Sequence, residues 1–119
     1  MEQTIKIRSI LIPVEDLDST LAWMTGELGC AIKFRDGDRY AELDGSGQSI
    51  ALVAQNERLV DRPALSVRTD DLDGAMDAFQ RRGSEVVQAP ERGPHETRAV
   101  LRAPGGVLVV LSSKHAQAT

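Results

Sequence analysis

The chain has 119 residues, of which 41% are hydrophobic and 27% charged, and its formal net charge is −4 at pH 7. These values are typical of one globular domain, and the negative charge without a basic stripe argues against a nucleic-acid partner. No apolar run approaches the roughly 20 residues of a membrane span, so we expect a cytoplasmic protein with no membrane partner. The single cysteine, Cys30, excludes an internal disulfide and is interpreted as a small buried hydrophobe.

The first half is predicted to fold as one strand, one helix and three more strands. The first strand covers residues 6–14, and Asp16 or Asp18 caps a helix that reaches about residue 28, before Gly29. Three short strands follow, near residues 31–35, 39–43 and 49–54. Module one therefore spans about residues 5–55, and residues 56–63 form a linker. Trp23 on the helix is expected to be a core or dimer contact.

The second half repeats the first at an offset of 55 residues. The Asp-Leu-Asp at positions 16–18 recurs at positions 71–73, each time after a strand-like run. The apolar residues Leu17, Leu21 and Met24 of the first helix correspond to Leu72, Met76 and Phe79 of the second. The predicted elements are a strand at 64–69, a helix at 72–82 and strands at 85–89, 97–103 and 107–112, with a loop at 90–96. Module two covers residues 64–113, followed by a tail at 114–119.

Three local sequences carry a resemblance to a known family. They are the Asp-Leu-Asp after the first strand, the Leu28-Gly29 helix end and the Ala103-Pro104-Gly105-Gly106 turn before the last apolar strand. In this order they resemble the glyoxalase, bleomycin-resistance and extradiol-dioxygenase superfamily, also called vicinal oxygen chelate. The resemblance implies an α+β fold in which two βαβββ modules form curled, cup-shaped mixed sheets around a cavity, with helices on the outer face.

The resemblance also implies where a metal would be held. Enzymes of the family bind one divalent metal through residues in the first and last strands of each module, usually histidine, glutamine or glutamate. These positions correspond to Ser9, Ala51, Ala64 and Val110. Only the serine hydroxyl is a weak ligand, so we expect no metal and no cofactor, and the sequence favours a protein that is not an enzyme.

Alternation along the strands predicts the lining of the cavity. If Ile10, Ile12, Leu65 and Val67 pack under the helices, then Ser9, Leu11, Ala64 and Ser66 face the cup. The same rule turns Tyr40, Glu42, Arg98, Val100 and Arg102 inward. The candidate cavity residues are Ser9, Leu11, Tyr40, Glu42, Ala51, Ala64, Ser66, His95, Arg98, Arg102 and Val110.

The charged residues of this set allow two interpretations each. Arg98 and Arg102 would clamp an anionic group and Glu42 would bind an amine, or all three are solvated charges or a mutual ion pair. Tyr40 would stack on a flat ligand. His95 is either a solvated loop histidine or a general base at the rim of the cup.

Three functions remain open. The first is a metal-free protein that binds a small organic molecule in the cup, and this is the interpretation we favour. The second is an enzyme of the family, with atypical metal ligands or with metal-free acid–base catalysis by Glu42 or His95. The third is a degenerate member that pairs with another protein. The strand edges left by each module predict a homodimer.

Overall fold

The computed structural model describes residues 5–114, which form eight strands and two α-helices. The strands are β1 (Ile5–Pro13), β2 (Ala31–Asp36), β3 (Tyr40–Gly45), β4 (Gln48–Val53), β5 (Ala64–Thr69), β6 (Glu85–Arg92), β7 (Glu96–Arg102) and β8 (Leu108–Lys114). The helices are α1 (Leu17–Glu27) and α2 (Leu72–Arg81), and a short 3-10 turn covers Gln55–Glu57 in the linker. The predicted α+β class and the βαβββ order of both modules are confirmed. Neither described helix has the length and apolar character that crossing a membrane requires.

The chain divides into two compact units with the same topology. The first unit is Ser9–Ala64, and the described part of the second is residues 5–8 and 65–114. In the first unit the strand order is β2-β3-β4-β1, with β1 parallel to β4 and the other pairs antiparallel. In the second unit the order is β6-β7-β8-β5, with β5 parallel to β8 and the other pairs antiparallel. The first four described residues of β1 thus belong with the second unit.

Each unit buries one face of its sheet under its own helix. In the first unit the buried residues include Leu17, Leu21 and Met24 of α1 and Ala41, Leu43 and Leu52 of the sheet. In the second they include Leu72, Ala75 and Met76 of α2 and Ala99, Leu101 and Leu111 of the sheet. Cys30 lies in the first core, so its predicted burial is confirmed. The repeated apolar pattern therefore encodes two equivalent helix-on-sheet cores.

The helix ends follow the repeated sequence closely. The Asp16 carboxylate accepts a hydrogen bond from the Ser19 backbone N–H at 3.2 Å, and Asp71 accepts one from Gly74 at 3.1 Å. Asp16 is therefore the cap, and Asp18 forms an ion pair with Arg35 instead. These caps satisfy N–H groups that the first turn of a helix leaves without partners.

The predicted loop at residues 90–96 is wrong. Strand β6 continues to Arg92, and only residues 93–95 form the turn to β7. Pro90 is tolerated because β6 is the last strand of its sheet order and its pairing is irregular between Gln88 and Glu91.

Two further predictions need correction. Trp23 is not a core residue, because 55% of it is exposed on α1, whereas its role as a dimer contact stays a prediction. Strand β8 includes Lys114, where the tail was predicted to begin, because the antiparallel pairing with β7 extends to Glu96 and Lys114. The rest of the predicted tail, residues 115–119, lies outside the described residues.

Candidate functional site

In the first unit, the face of the strands that turns away from α1 carries a continuous row of side chains. Neighbouring strands place Leu11 beside Ala51, Ala51 beside Glu42, and Glu42 beside Phe34. Since cross-strand partners project to the same face of a sheet, these four side chains share one surface. Leu11 and Ala51 are buried, whereas Phe34 is 57% exposed.

A carboxylate held by two partners lies in this row. Glu42 accepts a hydrogen bond from the Tyr40 hydroxyl at 3.3 Å and forms an ion pair with Lys33 at 3.2 Å. The Tyr40 and Phe34 rings lie 6.1 Å apart at 54°, a spacing typical of tilted aromatic pairs. We call the side chains of Lys33, Phe34, Tyr40 and Glu42 the acidic-aromatic cluster. The cluster offers a flat ligand two rings and an adjacent hydrogen-bond acceptor.

In the second unit, the corresponding face of the strands is apolar at its centre. Ser66 pairs with Val110, and Val110 pairs with Val100, so these three side chains form a row across β5, β8 and β7. Val100 and Val110 are buried although they turn away from α2. This row offers hydrophobic contact and one hydroxyl.

The two arginines proposed as a clamp lie at different ends of β7. Arg98 pairs with Ser112 and Arg102 with Leu108, so their Cα atoms are about 13 Å apart along the strand. Arg102 forms an ion pair with Glu85 on the edge strand at 3.5 Å. The register thus does not bring the two guanidinium groups to one small anion.

The four positions that hold metal in the family do not fit a divalent cation. Ser9, Ala51, Ala64 and Val110 are all buried, and three of them have no side-chain donor atom. Across residues 5–114 no cluster of three or more His, Cys, Asp or Glu side chains is arranged to hold a metal ion. His95 is exposed in the turn between β6 and β7. Within residues 5–114, the side chains at these four positions therefore do not supply the metal centre that the resemblance implies.

Sequence reasoning missed one partly buried charge, that of Arg68. The Arg68 guanidinium donates to the Glu96 carboxylate at 3.0 Å, linking β5 to the start of β7. Burial lowers the pKa of Arg68, the Glu96 carboxylate raises it, and the nearby Arg8 lowers it further. The alternation that placed Ala64 and Ser66 on one face also places Arg68 there, so the signal was present in the sequence.

Comparison with known proteins gives the family. Residues 6–111 match the model of the Glyoxalase/Bleomycin resistance protein/Dioxygenase superfamily. The chain belongs to this superfamily. An uncharacterised protein of Mycolicibacterium smegmatis is 30% identical to it over 101 residues, which cover 81% of this chain and 83% of that protein.

Solved structures of superfamily members share the fold at low sequence identity. A glyoxalase/bleomycin resistance protein/dioxygenase superfamily member from Vibrio splendidus matches with a TM-score of 0.70 and 14% identity, over 93% of this chain and all of that one. Methylmalonyl-CoA epimerase from Streptomyces coelicolor, solved with 2-nitronate-propionyl-CoA, matches with a TM-score of 0.63 and 22% identity, over 93% and 98% of the two chains. At these identities the likeness shows the fold of the superfamily.

Proposed function

We propose that this superfamily member binds a small organic molecule without a metal, on the sheet face opposite α1. One observation carries the proposal. Ala51, at a position where the family's enzymes place a metal ligand, is a buried apolar residue directly beside Glu42. Apolar surface with a few placed polar groups is the usual lining of a ligand site.

The acidic-aromatic cluster suggests the chemistry of the ligand. The exposed ring of Phe34 and the neighbouring Tyr40 ring would stack on a flat group. The Glu42 carboxylate, already paired with Lys33, would accept from an amine or another donor on the ligand. An aromatic amine therefore satisfies both features.

A charge-swapped pair of probes tests this. Phenethylamine and 3-phenylpropionate have similar apolar parts and opposite charges, and each is titrated against the full chain by NMR. We expect phenethylamine to perturb resonances near Glu42 and to lose that effect in Glu42→Gln. Glu27→Gln, at an exposed carboxylate at the end of α1, is the matched control. Equal binding of both probes, or no binding by either, contradicts the assignment.

An enzyme is the second candidate, and the contacts of Glu42 are the observation that favours it. A carboxylate fixed by a phenol and an ammonium group is positioned as an acid–base residue would be. The epimerase among the structural neighbours makes methylmalonyl-CoA in D2O a sensible probe. Incorporation of solvent deuterium that disappears in Glu42→Gln would favour catalysis, whereas no incorporation would favour binding alone.

We also propose a homodimer formed through an edge strand. Strand β6 is last in its sheet order and exposes Val86 and Val87. An unpaired apolar edge is suited to pairing with the same edge of a second copy. Light scattering is expected to give twice the chain mass for the native protein and the monomer mass for Val87→Lys. A monomeric native protein contradicts the proposal.

The unpaired Cys30 thiol suits a reducing compartment, and we propose the cytoplasm. Cell fractionation tests this, because recovery outside the cytoplasmic fraction would contradict it.

A further inference from the structure

The second unit contains a pocket of about 550 Å³ whose walls are strongly basic. Four cationic side chains line it, those of Lys6, Arg8, Arg68 and Lys114. The whole chain has a net charge of −4, so this concentration of positive charge is local and opposite in sign to the protein. We call this cavity the basic pocket.

The topology of the unit explains how distant residues meet there. Strands β5 and β8 are parallel neighbours, so their carboxyl ends lie at the same edge of the sheet. Thr69 and Asp70 come from the end of β5, and Ser113 comes from the end of β8. Lys6 and Arg8 enter from the beginning of β1, which belongs to the same compact unit. The pocket is therefore built on strand ends.

Arg68 is the most constrained of the four cations. Its side chain is 20% exposed, and its Nη2 donates to Glu96 at 3.0 Å. Its Nη1 is buried and has no hydrogen-bond partner among the described residues. A buried donor without an acceptor is costly, because it has lost water and gained nothing in return.

Among the described residues, the other three cations have no partner that offsets their charge. Within residues 5–114 the side chains of Lys6, Arg8 and Lys114 form neither an ion pair nor a hydrogen bond. Arg8 lies close enough to Arg68 to lower the pKa of that guanidinium, which is the signature of like charges in proximity. Of the described residues that line the pocket, Asp70 alone carries a carboxylate. An anion in the pocket would relieve this repulsion.

We propose that the basic pocket binds the phosphate group of a small organic molecule. A phosphate carries up to two negative charges, so it matches an excess of several cations better than a single carboxylate does. Arginine donates two parallel hydrogen bonds to such oxyanions, and within residues 5–114 Arg8 has no other partner to give up. A volume of about 550 Å³ also leaves room for the organic part of the ligand. The proposal rests on the second unit alone and is independent of the acidic-aromatic cluster.

Calorimetric titration of the full chain with phenyl phosphate tests the proposal, with benzoate as the carboxylate probe. We expect one saturable site for phenyl phosphate at low ionic strength and weaker binding of benzoate. Arg8→Gln is expected to weaken phenyl phosphate binding about tenfold, as loss of one charged hydrogen bond would. Arg92→Gln, at an exposed arginine of β6 in the same unit, is the matched control and should stay within about twofold.

Inorganic phosphate and a single-stranded oligonucleotide complete the set of probes. Phosphate alone should compete with phenyl phosphate at the same site. Tighter binding of the oligonucleotide with a steep salt dependence would overturn the proposal in favour of nucleic acid. Three other outcomes would also overturn the proposal. They are no saturable binding of phenyl phosphate, benzoate binding as tight as that of phenyl phosphate, and an equal loss of phenyl phosphate affinity in Arg8→Gln and Arg92→Gln. The melting temperatures of both variants are measured without ligand. If they equal that of the native protein, the loss of affinity is not caused by unfolding.

Discussion

The two modules have the same backbone plan and differ in the chemistry of their exposed surfaces. Leu43 and Leu101 occupy the same place in β3 and β7, and both are almost fully buried under their helices. Away from the cores, the first unit carries the acidic-aromatic cluster and the second carries the basic pocket. The cores are constrained by close packing, whereas partly exposed strand positions tolerate change. The difference indicates that a duplicated fold can keep its cores while the surface chemistry of the two copies diverges.

The largest expected effect tests whether the two cores are equivalent. Leu43→Ala and Leu101→Ala should each lower the free energy of unfolding by about 3 kcal/mol, because each leaves a cavity under a helix. Leu28→Ala, at a residue that is 57% exposed, should change it by less than about 0.5 kcal/mol. Urea unfolding measures all three. A cost below about 1 kcal/mol for only one core variant would show that the cores are not equivalent.

A smaller effect is expected from the helix caps. Asp71→Ala removes the acceptor for the Gly74 N–H and should cost about 1 kcal/mol of unfolding free energy. Asp77→Ala changes an exposed aspartate within the same helix and serves as the control. Thermal unfolding at neutral pH compares the two variants. Equal destabilisation by both would mean that helix charge, and not the capping hydrogen bond, is responsible.

The capping carboxylate of α1, Asp16, predicts that the stability of the fold depends on pH. Ser19 lowers the pKa of Asp16, first through its side chain and then through its backbone N–H. A carboxyl whose pKa is lower in the folded state stabilises the fold above its unfolded pKa, and that contribution is lost as the pH falls through the folded pKa.

Asp16→Asn tests this because it keeps an oxygen acceptor and removes the titrating group. The native protein should melt higher than the variant near neutral pH, and the difference should shrink below about pH 4. Melting curves across this range give the comparison. A difference that stays constant with pH would contradict the role of the charge.

The smallest expected effect concerns the acidic-aromatic cluster. Lys33→Ala breaks a partly exposed ion pair with Glu42 and should alter the free energy of unfolding by less than about 1 kcal/mol. Urea unfolding provides the measurement. A larger loss would make the Lys33–Glu42 pair a structural element of the first module and weaken the case that it serves a ligand.

The fold could be predicted from the sequence because the same apolar spacing occurs twice. Leu17 and Leu72 open equivalent helices, and the strands that follow alternate clearly enough to assign Ala41 and Ala99 to the cores. The error at Pro90 arose because a proline usually interrupts a strand, yet an edge strand with irregular pairing accommodates it.

The candidate sites were only partly predictable. Alternation correctly predicted that Tyr40 and Glu42 point away from the core. It could not predict the same for Phe34, because the pairing of β2 with β3 is irregular between Ile32 and Phe34. The basic pocket combines residues from β1, β5 and β8 that are far apart in sequence. Arg68 and Lys114 meet because β5 and β8 end side by side, and Lys6 and Arg8 join them from the start of β1. Local periodicity does not reveal this arrangement.

The positions that bind metal in the family's enzymes correspond here to Ser9, Ala51, Ala64 and Val110, and the metal content of the purified protein shows whether they bind a metal. The purified protein is examined by elemental analysis and by thermal-shift titration with nickel, zinc, manganese and iron, with chelator-treated protein as the control. Because Ala51, Ala64 and Val110 offer no donor atoms, we expect no stoichiometric metal and no stabilisation that the chelator removes. One equivalent of tightly bound metal, with stabilisation lost on chelation, would show that these positions or others do hold a metal and would favour a metal-dependent enzyme.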